Sequence, residues 1–491
     1  MHRMANPTEQ PRRWFAVLLL SSLAVAIPAI DAPYFSDDFQ FVFADPALDP
    51  AHYFAWHNPH NIFYRPIQSA FLAAVQIGWG LSTWPIHSVH VVLHAALAML
   101  VFTSLVELGF RRRDAGLASL LVAVSQAAAM TVSSNDTLSQ LLGVLAGYLS
   151  VRAFHASARS SCRALLYDRR YLSGLVWLAV SLFSKETSVA FVAMGAFALL
   201  AGTGGIGARG RRVRAAAARV APLILVLVLY LAARGAAAGA GPGLGEDDYG
   251  ITIGPNIARN LAMLWVAATT PFSSVSMFTA VSAPDRMTLA ALGVVYAAFA
   301  AIVGAGLWRR RRHGRLWRLW VLALLSVASI VPVNHVSELY AYQLLPVAAA
   351  IVAWGLGGLH DAAGRSAWIV VVAAVIASHA LAAHSKATLL DENARRAATL
   401  LDPVVAHARG LARGGELVLR NPAHSPPEYS MFRMSGFNYL RHADFYIARR
   451  AGRDDISVRI APADEPGLAP APGRVVLVLD GDRVEPLSTP P

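Results

Sequence analysis

The sequence predicts an all-α polytopic membrane protein of about eleven transmembrane helices, with a small extracytoplasmic α/β region at its C-terminal end. Three observations carry that reading. Hydrophobic residues fill 56% of the 491 positions and charged residues only 15%, with a mean hydropathy of +0.47; soluble chains average about 45–50% and about 25%. The formal charge of +12 sits mostly in short arginine clusters between apolar runs, which is the positive-inside pattern and not the footprint of a nucleic-acid partner. The membrane pattern then stops near residue 384. Cys162 is the one cysteine, so no internal disulfide forms. Lys185 and Lys386 are the only lysines in a chain that otherwise uses arginine for positive charge.

The elements follow in order. Arg12 and Arg13 precede the first apolar run, 14–30, and place the start of the chain inside. The basic start and apolar middle also fit a signal peptide, but no small-residue cleavage site precedes Asp31, so the run is read as a retained span. Residues 31–66 form an extracytoplasmic loop holding the adjacent acids Asp37 and Asp38, several histidines, and a closing Tyr64-Arg65-Pro66. Residues 67–80 are too short to span and suit an interfacial helix. The second span, 85–110, carries His87, His90 and His94 on one face, packed toward the bundle interior. The third, 115–132, ends at the polar turn Ser133-Ser134-Asn135-Asp136, and the fourth, 138–154, returns to a basic segment. The fifth begins at Tyr171 and meets the sixth at an extracytoplasmic hairpin carrying Lys185 and Glu186, charges that are expensive there unless paired or facing a wet cavity.

A seventh span covers 220–233. Residues 256–278, interrupted by Thr269-Thr270-Pro271, read as a juxtamembrane or partly inserted helix, because a full span there would put Arg309 to Arg312 outside. The eighth and ninth spans are 288–307 and 316–333, the ninth opening into a segment with His335, Glu338 and Tyr342. The tenth and eleventh are 346–359 and 367–384. This divides the chain into a transmembrane domain, 1–384, and an extracytoplasmic region, 385–491, with helical and strand-like runs.

The topology puts Asp37, Asp38, Arg65, Asn135, Asp136, Lys185, Glu186, His335 and Glu338 on one side, and arginine clusters on the other. One face reads as a site and the other as orientation signals. Adjacent carboxylates repel, so one holds its proton longer while the other stays ionised, which suits a general base or a metal ligand. The alternative for the pair alone is a solvated acidic loop.

Together, the acid pair, the Phe63-Tyr64-Arg65-Pro66 segment, the His87 to His94 face, the Phe183-Ser184-Lys185-Glu186-Thr187 turn and the Glu338 to Tyr342 segment resemble the GT-C superfamily of membrane glycosyltransferases, and within it the protein O-mannosyltransferase branch and its bacterial relatives. The resemblance spans roughly residues 14–384. It implies inverting transfer of a sugar from a polyprenyl-phosphate donor to an extracytoplasmic hydroxyl. Asp37 matches the family's catalytic base and Asp38 the second acid; Arg65, Lys185 and Glu186 are the candidates for the donor phosphate, and His94, His335, Glu338 and Tyr342 for the pocket. Branches of the superfamily differ in metal use, so a divalent ion (Mg or Mn) on Asp37 and Asp38 stays open. The acceptor, whether protein, lipid or glycan, stays open too, since neither a TPR array nor an MIR-type insert is present.

Two other readings compete. A transporter or flippase of a lipid-linked solute would show paired broken helices in two repeats, and no internal repeat is visible. A non-catalytic lipid-binding member of the same fold would be free to lose the loop acids, and they are present. Heavy alanine and arginine usage points to a GC-rich bacterial source and a plasma-membrane location.

Overall fold

The computed structural model describes residues 9–43, 52–54, 63–158, 160, 162–165, 167–201, 209–238, 250–283, 285–334, 336–421, 430–432, 434, 439–440, 442–462, 465, 468–480 and 483–487. His335 therefore lies outside the described residues.

Helices dominate up to residue 410. They are α1 (Glu9–Ala26), α2 (Asp37–Val42), α3 (Pro66–Trp79), α4 (Trp84–Glu107), α5 (Arg112–Val124), α6 (Ala129–Ser133), α7 (Leu138–Ser157), α8 (Cys162–Leu165), α9 (Arg169–Ser184), α10 (Ala190–Ala201), α11 (Arg209–Ala238), α12 (Pro255–Thr269), α13 (Ser274–Ser282), α14 (Arg286–Arg309), α15 (Leu316–Val327) and α16 (Ala341–Gly410). Among the described residues, five helices are long and apolar enough to cross a membrane, or six when the bent pair α5 and α6 is taken as one span. The chain is thus a multi-span membrane protein, and the figure of about eleven spans is not reproduced by length and apolarity alone.

The third expected span is not one helix. α5 stops at Val124, and the chain bends by 44° before α6. Ser125 is extended (φ −63°, ψ 133°) and its hydroxyl accepts from Ala127 N–H at 3.2 Å, capping a new turn. A cap of this kind competes with helix continuation. The ninth span also ends early, at Val327. The interruption read at residues 269–271 is real: α12 ends at Thr269 and α13 begins at Ser274. α3 fits the short interfacial helix, with Trp79 and Trp84 half exposed beside it.

Two features of α16 shape the molecule. Its first half packs backbone to backbone on α14: a Cβ on Gly306 would lie 1.8 Å from the Gly355 carbonyl oxygen, and one on Gly358 2.4 Å from that of Gly306. Small residues permit that approach where apolar burial gives no advantage over lipid. At Gly364 the backbone turns to φ +83°, which glycine adopts without penalty. Beyond it the helix runs unbroken to Gly410, so the boundary expected at 384 falls inside a helix.

The C-terminal region then adds β1 (Glu416–Asn421), α17 (Asp444–Ala451), β2 (Ser457–Pro462), β3 (Arg474–Asp480) and β4 (Arg483–Pro486). The strands form one sheet in the order β2-β1-β3-β4, parallel except for β3 against β4. Tyr446 of α17 packs on the loop helix α2, its ring 4.9 Å from Phe39 and 4.8 Å from Phe43. One hydrophobic core thus joins the first loop, the far half of α16 and the sheet.

Candidate active site

α2 is a short helix with its two acids in the first turn. Its N-cap, Ser36, has φ +54°, a conformation uncommon outside glycine. That residue is pinned by its N–H donating to Tyr439 carbonyl at 3.0 Å. Successive residues on a helix point about 100° apart, so the two acids face different surroundings. Asp37 is half-buried and accepts from Gln40 Nε2 at 3.1 Å. Asp38 is fully buried and accepts from Phe35 N–H (3.1 Å), Asn135 Nδ2 (2.9 Å) and Asp136 N–H (3.1 Å). Burial pushes its proton affinity well above the ordinary carboxylate range, the Asp136 charge adds to that, and the three donors offset only part of it.

The polar turn after α6 lies under this loop. Ser134, Asn135 and Asp136 are buried, and Asp136 accepts from Ser134 Oγ at 2.6 Å. Gln68 of α3 donates to the Asp136 carbonyl at 2.6 Å. The sequence places Asn135 and Asp136 on the site's side and assigns them no role.

The cations gather beside it. Arg65 donates to Glu186 through Nε (2.9 Å) and Nη2 (2.7 Å), a bidentate pair, and Lys185 Nζ stands 3.4 Å from the same carboxylate. All three are largely buried. Two cations share one anion, so the cluster keeps a net positive charge. Burial, with the neighbouring Arg65 charge, lowers the Lys185 pKa to about 8. Aromatic rings enclose the cluster: Arg65 Cζ lies 4.3 Å from the Phe63 ring centre and 4.8 Å from that of Phe41, and Lys185 Nζ lies 6.0 Å from Tyr340. Phe41 is four residues beyond Asp37 and shares its helix face. Arg65 thus stacks on a ring one helical turn beyond Asp37. Asp136 feels the Arg65 and Lys185 charges as well.

The remaining sequence candidates have partners of their own. His94 Nδ1 meets the Tyr342 hydroxyl at 2.8 Å between α4 and α16, and His87 and His90 are buried in the bundle, as their shared face suggested. Glu338 pairs with Lys386, whose ammonium also donates to Gln126 O (3.0 Å), Gln126 Oε1 (2.8 Å) and Ser274 Oγ (3.0 Å). Each of the two lysines therefore has a glutamate. Tyr340, which sequence reading passed over, is the residue of that segment that reaches the cation cluster.

For a metal, the donor set is thin. Both oxygens of Asp38 already accept hydrogen bonds. Among the described residues, no three His, Cys, Asp or Glu side chains are grouped to hold an ion.

No protein-family model matches the chain, and no curated protein matches it in sequence. Solved structures do match in shape. ArnT from Cupriavidus metallidurans, bound to undecaprenyl phosphate, superposes with a TM-score of 0.52 at 12% identity, over 98% of each chain. The oligosaccharyltransferase AglB from Archaeoglobus fulgidus, in complex with an inhibitory peptide and a dolichol-phosphate, gives 0.48 at 11% identity, over 93% of this chain and 64% of its own. The chain thus spans less than two thirds of the archaeal enzyme's length. By its likeness to ArnT, the chain has the GT-C fold.

Proposed function

We propose that the chain is an inverting membrane glycosyltransferase. It moves a sugar, hexosyl or pentosyl, from a polyprenyl-phosphate donor to an acceptor hydroxyl outside the cytoplasm of a bacterial plasma membrane. What supports this reading is that Arg65, paired with Glu186 beside Lys185, stacks on Phe41 one helical turn beyond the half-buried Asp37. A hydroxyl is a weak nucleophile, and a positioned carboxylate removes its proton as it attacks. The acceptor oxygen bonds to the anomeric carbon from the face opposite the phosphate, and its proton passes to Asp37. The bond from that carbon to the phosphate oxygen breaks, leaving the lipid phosphate with the bonding electrons. Arg65 and Lys185 supply fixed positive charge where that negative charge develops. Glu186 orients both cations, and Asp38 holds α2 in place without touching substrate. The ArnT structure binds undecaprenyl phosphate, which supports a lipid phosphate as the donor's leaving group here.

The test uses purified protein in nanodiscs, a panel of radiolabelled polyprenyl-phosphate sugars and a crude acceptor extract, with wild type beside Asp37→Asn. Loss of transfer in the variant at equal folded yield is the expected result. Transfer that survives removes Asp37 as the base. No transfer from any donor by wild type, with the lipid still bound, would favour a non-catalytic lipid-binding or transport role.

A further inference from the structure

Two cavities lie at the end of the bundle away from Asp37. α7 starts at Leu138, next to Asp136, and from there to Arg152 is about 21 Å of helix at 1.5 Å per residue. At that far end a cavity of about 190 Å³ opens between α4, α7, α10, α15 and α16. Its walls are apolar, with Leu100, Leu105, Met194, Leu319 and Ala350 among them; Arg315 and Arg318 also line it, as do Arg152 and its salt-bridge partner Glu107. A second cavity, about 450 Å³, lies alongside and is lined by Arg309, Arg310, His313 and Arg315 with Asp114 and Asp361. Arg315 lines both. Phe110, in the first cavity, packs edge-on against Trp354 of the second with ring centres 4.6 Å apart.

The charges there do not cancel. Arg310 is buried between Asp114 (2.7 Å) and Asp361 (2.6 Å), and Arg111 also bonds Asp361. Among the described residues, no carboxylate pairs with Arg309, Arg315 or Arg318. The sequence topology places this end on the inner face, and positive-inside bias accounts for the sign of the charge. It does not account for an apolar cavity between five helices meeting a cationic one at a shared arginine.

We propose that this end of the bundle binds an anionic phospholipid of the inner leaflet. One acyl chain fills the apolar cavity, and the phosphate sits at Arg315 with Arg309 and Arg318 flanking it. A zwitterionic lipid offers the same chain but no net charge to these arginines. The site is separate from the donor site and does not depend on the reaction proposed above.

Native mass spectrometry of the full-length protein, titrated with phosphatidylglycerol or phosphatidylcholine, tests this. Wild type retains phosphatidylglycerol in preference to phosphatidylcholine. Arg315→Ala weakens phosphatidylglycerol binding about fivefold, as for one basic side chain at an anionic surface, and Arg315→Lys restores most of it. Ser104→Leu, which adds bulk to the apolar wall, weakens both lipids and leaves the headgroup preference. Arg413→Ala, on the exposed C-terminal region, changes nothing. Wild type without a preference, equal affinities in wild type and Arg315→Ala, or displacement of the lipid by millimolar inorganic phosphate would each overturn the proposal. Should Arg315→Ala fail to fold, the wild-type preference and Arg309→Ala decide the matter.

Discussion

Asn135 donates to the Asp38 carboxylate across 2.9 Å, and the bond fastens the loop after α1 to the turn between α6 and α7. Asp38 is fully buried there with two further N–H donors. Asp38→Ala strands those donors, which costs roughly 2–4 kcal/mol. Thermal melts in detergent are expected to show a clear loss for Asp38→Ala, while Asp37→Asn melts like wild type. Equal melts for the two variants would remove the distinction between a structural and a reacting acid.

The same carboxylate sets a pH dependence of stability. Asp38 and Asp136 both hold their protons more tightly in the folded chain than the ordinary value of 3.8, through burial, with the Asp136 charge adding to the effect at Asp38. The folded state then binds more protons than the unfolded one above that value. The contribution is fully present below pH 3.8 and is lost as pH rises through the elevated values. Asp136→Asn takes away one charge of the pair, so the melting midpoint should fall less steeply from pH 4 upward. An unchanged slope would argue against the coupling.

Lys185 gives a pH effect of the opposite kind, on rate. With its pKa lowered to about 8, chiefly by burial, its charge is present below that pH and lost above it. Transfer by wild type should decline above pH 8. In Lys185→Arg the alkaline limb should move up, because a guanidinium keeps its charge. Profiles that coincide would take Lys185 out of leaving-group stabilisation.

Lys386 and Glu338 form a buried pair inside the bundle. Removing one partner leaves a buried charge and costs about 3–5 kcal/mol, whereas replacing both with apolar residues costs much less. Lys386→Met and Glu338→Leu should each lower the melting midpoint strongly, and the double variant should recover most of the loss. A double variant as unstable as the worse single one would mean that Gln126 and Ser274 carry the interaction.

Tyr446 is 6% exposed and lies against Phe39 and Phe43 of the loop. Tyr446→Ala opens a cavity worth about 3–5 kcal/mol at that contact. Limited proteolysis should cut the loop faster while the membrane helices stay protected, and transfer should drop. Cleavage at the wild-type rate would show that α17 does not hold the loop.

Much of this was legible in the amino-acid order. Apolar runs and arginine clusters locate α4, α7, α14 and the first part of α16, because burial in lipid and charge outside it are properties of composition. The acid pair, Arg65 and the Lys185–Glu186 turn drew notice as charges that needed a reason. The break at Ser125 was hidden, since a capping hydroxyl inside an apolar run looks like any other serine. The different surroundings of Asp37 and Asp38 were hidden as well, because the burial of Asp38 depends on Asn135 and Asp136, which lie far along the chain. The partners of Lys386 come from Gln126, Ser274 and Glu338, a convergence that no local pattern encodes.

The contact between Ser36 and Tyr439 also bears on how the protein is made. About 400 positions separate the two, so a ribosome delivers Ser36 long before the residue that pins it. Membrane insertion can be finished long before that meeting takes place. A nascent chain stalled at residue 410 would already carry its helices, its cations and both acids, and would still lack Tyr439, the acceptor that pins Ser36.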